Sequence, residues 1–214
     1  MRRLLNRANA FFDSPIDLRS RLVVLLSTSA LLLPTFLFPL WQLEMYANQY
    51  PDGLRLSIYS YKLAAGNNGN DLREINTLNH YIGMRALEPQ DFFELKWLPF
   101  AVGLFFFLGL RVVVLGKVSK LVDLCVLFVY FGLFSLWSFG YRMYAYGHTL
   151  DPMAAVKIQP FTPPLFGHET LANFEVYSFP GVAAYLLLAY PFCLGLALFL
   201  SYRTFRSAER TVTI

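Results

Sequence analysis

The sequence predicts an all-α membrane protein in which four transmembrane helices carry a small α+β periplasmic cap formed by two loops. Only 15% of the 214 residues are charged, whereas 56% are apolar and 17% are aromatic. A soluble domain carries roughly 25% charged residues, and the apolar residues of this chain fall into long blocks. This composition argues against a soluble globular enzyme, a disordered chain and a nucleic-acid-binding protein.

Four apolar blocks are long enough to cross a bilayer, which takes roughly 20 mostly apolar residues. We predict transmembrane helices at residues 22–41, 98–115, 121–140 and 182–200. The remaining segments are then an amphipathic N-terminal segment at 1–21, periplasmic loops at 42–97 and 141–181, a cytoplasmic turn at 116–120 and a cytoplasmic tail at 201–214.

The placement of Lys and Arg predicts the orientation, because cytoplasmic flanks of transmembrane helices retain positive charge. Eleven of the 18 basic residues lie in the N-terminal segment, around the short turn and in the C-terminal tail. With four spans, all three of these flanks face the same side. We therefore expect a multi-pass protein of the bacterial inner membrane with both termini in the cytoplasm, and the net charge of +4 reflects topology.

The two long loops have different local patterns. Residues 54–63 alternate between apolar and polar side chains, which predicts a strand. Asp71 with Glu74 three residues later predicts a capping box, followed by a helix with one apolar stripe. The second loop contains five prolines, which exclude a regular helix and a central strand over 157–169 and favour an extended segment laid over the first loop or over a partner.

The familiar catalytic motifs are missing from the sequence. It contains no Gly-rich phosphate loop, no nucleophile elbow and no zinc-protease motif. The four predicted spans contain no histidine to bind haem, and the two cysteines, Cys125 and Cys193, lie inside apolar blocks. We therefore expect a protein that is not an enzyme and carries no haem.

Histidine and methionine have an uneven distribution. All three histidines and all four methionines after Met1 lie in the predicted periplasmic loops. Imidazole and thioether ligands together suit Cu(I), and His80 and Met84 are four residues apart on the predicted helix, where side chains reach one point. One ligand from the second loop, His168 or Met153, would complete a three-coordinate site. The alternative is that Met84 only fills a gap in the packing of the helix.

The segment INTLNHYIGM at residues 75–84 resembles a family of small bacterial membrane proteins. Their genes are found with those of nitrous oxide reductase and of NosL-type copper delivery. The resemblance extends from PDGLRL through DLREINTLNHYIGMRALEP and to the PFTPPL and NF segments, about a third of the chain. It implies an accessory role in maturing, supplying or anchoring a periplasmic copper enzyme. His80 and Met84 are then the candidate metal ligands, with Asn79 and Tyr81 as shaping neighbours.

Three functions remain open at this point. The first is a copper-handling accessory factor that holds Cu(I) between His80, Met84 and His168. The second is a structural or assembly subunit of a respiratory membrane complex, in which LNHYIGM packs against a partner and binds no metal. The third is a quinol-interacting subunit. The expected partners are the lipid bilayer and other membrane or periplasmic proteins, and nucleic acid is not among them.

Overall fold

A computed structural model describes residues 2–171 and 174–212 of the chain, which is mostly helical at 63%. The helices are α1 (Arg2–Asp13), α2 (Leu18–Ser27), α3 (Asn70–Tyr81), α4 (Glu94–Leu115), α5 (Val118–His148) and α6 (Val182–Val212). The strands are β1 (Trp41–Ala47), β2 (Tyr50–Ile58), β3 (Leu63–Ala65), β4 (Gly167–Leu171) and β5 (Phe174–Pro180).

Within the described residues, four helices are long and apolar enough to cross a membrane. They are Leu18–Phe36, Glu94–Leu115, Val118–His148 and Val182–Thr211, which confirms the number and order of the predicted apolar helices. The first continues α2 through a π-helical turn at Thr28–Leu32 and a 3-10 turn at Leu33–Phe36. It ends before Trp41, which begins β1, whereas α5 and α6 extend beyond the predicted spans.

The chain divides into two compact units. The helical unit contains Met1–Pro34, Phe100–Gly132 and Leu186–Ile214, and the sheet unit contains Thr35–Pro99 and Leu133–Tyr185. All three tryptophans of the chain, Trp41, Trp97 and Trp137, belong to the sheet unit. Tryptophan fluorescence is therefore a reporter of that unit.

Polar groups join the helices of the helical unit at a few buried points. The Thr28 and Tyr190 hydroxyl groups are 3.0 Å apart, and the Ser20 hydroxyl donates to the Ala197 carbonyl at 2.9 Å. Gly109 allows α4 to approach closely, since a Cβ there would lie 2.4 Å from the Thr28 hydroxyl oxygen. Small residues and interhelical hydrogen bonds of this kind are typical of helices that pack in a membrane.

The sheet unit contains a five-stranded antiparallel sheet with the order β3-β2-β1-β5-β4. Helix α3 packs on β2 and β3, and the core between them consists of Leu54, Leu56, Ile75 and Leu78. The predicted strand at 54–63 is confirmed over residues 54–58, whose apolar side chains face a helix. It ends at Ile58, and residues 59–62 lie outside the strands.

Both long loops contribute to this one sheet. The central strand β1 pairs with β2 from the first loop and with β5 from the second. The Asp151 amide also donates to the Gly83 carbonyl at 2.8 Å, and the Val156 amide donates to the Tyr81 carbonyl at 2.9 Å. The second loop thus contacts the first loop through residues 151 and 156 and through β5. Within the proline segment at 157–169, the Phe161 amide donates to the Gly147 carbonyl of α5 at 3.1 Å, so its predicted position over the first loop stays a prediction. The β4–β5 hairpin was not predicted.

The predicted capping box at the start of α3 is wrong. The helix begins at Asn70, and its N-cap is Gly69, which makes no side-chain cap bond. Asp71 is buried, and its carboxylate accepts from the Arg55 amide at 2.9 Å and from the Asn67 side chain at 2.7 Å. Glu74 accepts a hydrogen bond from the Tyr50 hydroxyl. Both carboxylates therefore tie the helix to the strand region and leave the helix cap to the left-handed Gly69.

The Tyr50–Glu74 hydrogen bond makes the stability of the sheet unit depend on alkaline pH. This bond, with a smaller contribution from burial, raises the pKa of Tyr50 above its usual value of 10. Because the pKa of Tyr50 is higher in the folded state than in the unfolded state, the protonated Tyr50 hydroxyl stabilises the folded state. This stabilisation is complete below about pH 10 and is lost as the pH rises through the folded-state pKa. We expect the Trp-fluorescence melting temperature to fall as the pH rises above about 10, and Tyr50→Phe to make that fall smaller.

The exposed Tyr61 provides the matched control for this prediction. Tyr61→Phe should leave the fall in melting temperature as steep as in the unmodified protein. Equal falls in Tyr50→Phe and in the unmodified protein would contradict a role for the Tyr50–Glu74 pair.

Candidate functional site

His80 lies on the last turn of α3, and its side chain is exposed. The neighbouring Asn79 is buried, and its carbonyl accepts from the Met84 amide at 2.8 Å. Of the LNHYIGM segment, only His80 and Tyr81 are exposed. The segment therefore serves mainly to end α3 inside the sheet unit.

Met84 does not lie on the helix with His80. Helix α3 ends at Tyr81, and Gly83 turns the chain away with a left-handed φ of +77°. The Met84 side chain packs instead against a buried cluster of Phe92, Met143 and Tyr146. The predicted pair assumed helical i, i+4 spacing, but the helix ends before Met84. Glycine is required at position 83, because its φ is left-handed and a Cβ there would lie 2.8 Å from the Asp151 carbonyl oxygen.

His168 lies on a different part of the sheet. It belongs to the edge strand β4 and pairs with Tyr177, which pairs with Glu44 of β1. Directly paired residues share a face of an antiparallel sheet, so His168 lies on the face opposite to Leu43 and Leu56, which contact the α3 core. Three strand spacings, roughly 14 Å, also separate β4 from β2, on which α3 packs.

The structure therefore does not bring the three predicted ligands together. One ion holds its ligand atoms at about 2 Å each, and His80 and His168 lie on opposite sides of the sheet. Met153, the other predicted third ligand, is 88% exposed. Within the described residues, no three His, Cys, Asp or Glu side chains are grouped to hold a metal ion. Copper binding by any one of these residues stays a prediction.

Comparisons with known proteins do not assign a family. No protein-family model matches the chain, and no curated protein and no solved structure matches it. The resemblance of the INTLNHYIGM segment thus stays an expectation.

A charged cluster that the sequence did not predict lies at the start of α4. The Arg142 guanidinium donates to the Glu94 carboxylate and to the Asp91 carbonyl, each at 2.6 Å. Ser138 donates to the other Glu94 oxygen at 2.6 Å. Arg142 also lies over the Phe92 ring, with 5.1 Å from its central carbon to the ring centroid. The cluster fixes the segment before α4 to α5.

This cluster contains buried polar atoms without a hydrogen-bond partner in the described part of the chain. They are Asp91 Oδ2, Arg142 Nε and the Tyr146 hydroxyl oxygen. The cluster borders the Phe92, Met143 and Tyr146 packing that holds Met84. Its two sequence segments are 48 residues apart, so no local pattern could have revealed it.

The second notable surface is the sheet face that α3 leaves uncovered. We call it the open face and define it by five rings: Tyr46, Phe166, His168, Tyr177 and Phe179. Ring centroids are 5.7 Å apart for Tyr46–Tyr177, 4.7 Å for His168–Tyr177 and 5.4 Å for Phe166–Phe179. The side chains of Phe166, His168 and Phe179 are exposed.

Charged groups of both signs accompany the rings of the open face. Glu44 and Arg55 pair across β1 and β2 at 3.5 Å, and their side chains are 42% and 65% exposed. Burial and a hydrogen bond to Glu175 raise the pKa of Tyr177 above 10, so its hydroxyl stays protonated at neutral pH. The open face thus presents aromatic surface, a hydroxyl donor and an imidazole on a rigid sheet.

Proposed function

We propose that this chain is a non-catalytic accessory protein of the bacterial inner membrane that binds and anchors another protein through the open face of its sheet. The observation that carries the proposal is the row of five rings, three of them exposed, on the sheet face opposite to α3. The four apolar helices supply the anchor, with both termini in the cytoplasm and the sheet in the periplasm.

The chemistry of the open face fits a protein partner. Tyrosine and other large aromatic residues supply much of the binding energy at protein interfaces, because they bury a large area with few rotatable bonds. A sheet holds such rings in place before binding, which lowers the entropic cost of association. The exposed Glu44–Arg55 pair beside the rings gives the polar rim that such interfaces have.

The sequence resemblance contributes the class of partner. A periplasmic copper enzyme of the nitrous-oxide-reductase type, or a subunit of a respiratory membrane complex, is the partner that we propose. An anchoring role requires no metal on this chain and agrees with the separation of His80 from His168. Copper supply would require a ligand set that forms only when the partner adds its own residues.

Site-specific photocrosslinking in intact cells tests the docking proposal. A benzophenone side chain at His168 or Phe179 should crosslink to one periplasmic or membrane protein. The matched control positions are Arg73 and Thr77, which are exposed on α3 and should give no such product. The double variant His168→Ala/Phe179→Ala should lower co-purification of the same partner by about tenfold or more.

Two outcomes would overturn the proposal. One is crosslinking of the same partner from Arg73 and Thr77 as strongly as from the open face. The other is a chain that carries one copper after anaerobic Cu(I) loading and loses it in His80→Ala/Met84→Ala, while the open-face variants keep all partner binding. The second result would establish copper handling instead.

A further inference from the structure

A groove in the helical unit combines apolar walls with positive charge. It lies between α4 and α5, encloses about 370 Å³ and is lined by Leu108, Val112, Leu124 and Leu127 together with Arg111 and Lys120. In the predicted topology this end of α4 and α5 faces the cytoplasmic leaflet. The groove residues belong to the helical unit, whereas the open face belongs to the sheet unit. The inference drawn from the groove rests on the membrane insertion that the proposed function also assumes.

One of the two basic side chains in the groove has no ion-pair partner among the described residues. Lys120 and Asp123 pair at 2.9 Å; Lys120 is half-buried and Asp123 is exposed. Arg111 is exposed on α4, and no ion pair of the described residues includes it. Two cations and one carboxylate give this end of the groove a net charge of +1.

A phospholipid matches both properties of the groove, whereas a soluble anion matches only one. The four apolar residues lie at the spacings i and i+4 on α4 and i and i+3 on α5, so they form a continuous wall along both helices. Such a wall offers nothing to inorganic phosphate but packs well against an acyl chain. A guanidinium forms bidentate hydrogen bonds with a phosphate group, and Arg111 lies within one helical turn of the wall residues.

We propose that this groove binds one anionic glycerophospholipid, with an acyl chain along the apolar wall and the phosphate on Arg111 and Lys120. Lys117, which is exposed in the adjoining turn, adds positive charge on the same side. The lipid fills a gap between two helices that contact each other through Phe105, Phe128 and Phe131.

Native mass spectrometry of the full chain in detergent tests this site. The protein is titrated with phosphatidylglycerol and, separately, with phosphatidylcholine of the same acyl chains. We expect one bound phosphatidylglycerol per chain, and Arg111→Gln should weaken its binding about fivefold, the contribution of one basic residue near anionic lipid. Arg19→Gln, which removes an exposed arginine of α2 outside the groove, should leave binding unchanged.

Three results would overturn the lipid site. They are equal binding of the two lipids, equal weakening by Arg111→Gln and Arg19→Gln, and binding of inorganic phosphate, added in a separate titration, that is as tight as that of phosphatidylglycerol. Arg111→Lys keeps the positive charge but loses the bidentate hydrogen bonds, so it should restore part of the binding and thereby show that the loss in Arg111→Gln does not come from unfolding. Crosslinking from the open face does not depend on Arg111, so the two proposals fail independently.

Discussion

Replacing Arg142 with Met is expected to lower the free energy of unfolding of the sheet unit by about 3 kcal/mol. The substitution removes two charge-assisted hydrogen bonds, to Glu94 and to the Asp91 carbonyl. The Glu94 carboxylate, only 23% exposed, then keeps Ser138 as its one described side-chain donor. Removing one partner of a buried ion pair costs 3–5 kcal/mol, and partial exposure places this pair at the lower end. Thermal unfolding followed by tryptophan fluorescence measures the effect in the unit that contains all three tryptophans.

A double-mutant cycle separates the pair from the rest of the cluster. Glu94→Gln in the Arg142→Met background should recover part of the lost stability, because the unpaired charge is gone. Arg55→Met is the matched control, since Arg55 belongs to an exposed pair at 3.5 Å and such pairs contribute about 0–1 kcal/mol. Equal losses in Arg142→Met and Arg55→Met would contradict a structural role for the cluster.

The sequence predicted the helices well because their signal is compositional. A block of about 20 apolar residues indicates a spanning helix without any knowledge of its neighbours. The strand at residues 54–58 was also predictable, since Leu54 and Leu56 alternate with exposed side chains and both are buried. Membrane insertion and the orientation of the termini stay predictions, which rest on the same composition and on the charges of the flanks.

The rest of the sheet was not predictable from local pattern, because its pairing joins distant segments. Strand β1 pairs with β5 through Leu43 and Ser178, more than 130 residues apart. The strand β1 begins at Trp41, the last residue of the first apolar block. The prediction therefore assigned Trp41 to a transmembrane helix and the rest of β1 to a loop. The hairpin of β4 and β5 follows a proline-rich segment, whose composition argued against any regular structure.

The predicted metal site shows how a spacing argument can end at a turn. His80 and Met84 have helical spacing, but Gly83 reverses the chain between them with a φ of +77°. The charged cluster, in contrast, lacks a spacing signal, since Glu94 and Arg142 come from two helices. The open face was equally hidden, because its rings come from three strands and become neighbours only through the register of the sheet.

Replacing Asp71 with Ala is expected to destabilise the sheet unit by about 3 kcal/mol. The Asp71 side chain substitutes for a missing strand partner of Arg55. The Arg55 carbonyl accepts from the Gly66 amide at 2.9 Å, and the Arg55 amide donates to the Asp71 carboxylate at 2.9 Å. Asp71 is 3% exposed, and alanine would leave the Arg55 amide and the Asn67 amide group without this acceptor. A buried donor left unpaired costs about 1–3 kcal/mol, and a hydrogen bond to a charged acceptor lies at the upper end of this range. The Arg55 amide carries this cost, because Asn67 is exposed and its amide group can donate to water.

Two further substitutions determine whether this loss comes from the buried acceptor. Asp71→Asn retains the shape and one acceptor, so we expect about half of the loss, measured again by thermal unfolding with tryptophan fluorescence. Asp52→Ala removes an exposed aspartate of β2 and should change stability by about 0.5 kcal/mol or less. A stable Asp71→Ala variant would mean that the packing of α3 on Leu54 and Leu56 is sufficient to hold the helix, and that the contacts of Asp71 only select the residue at which α3 begins.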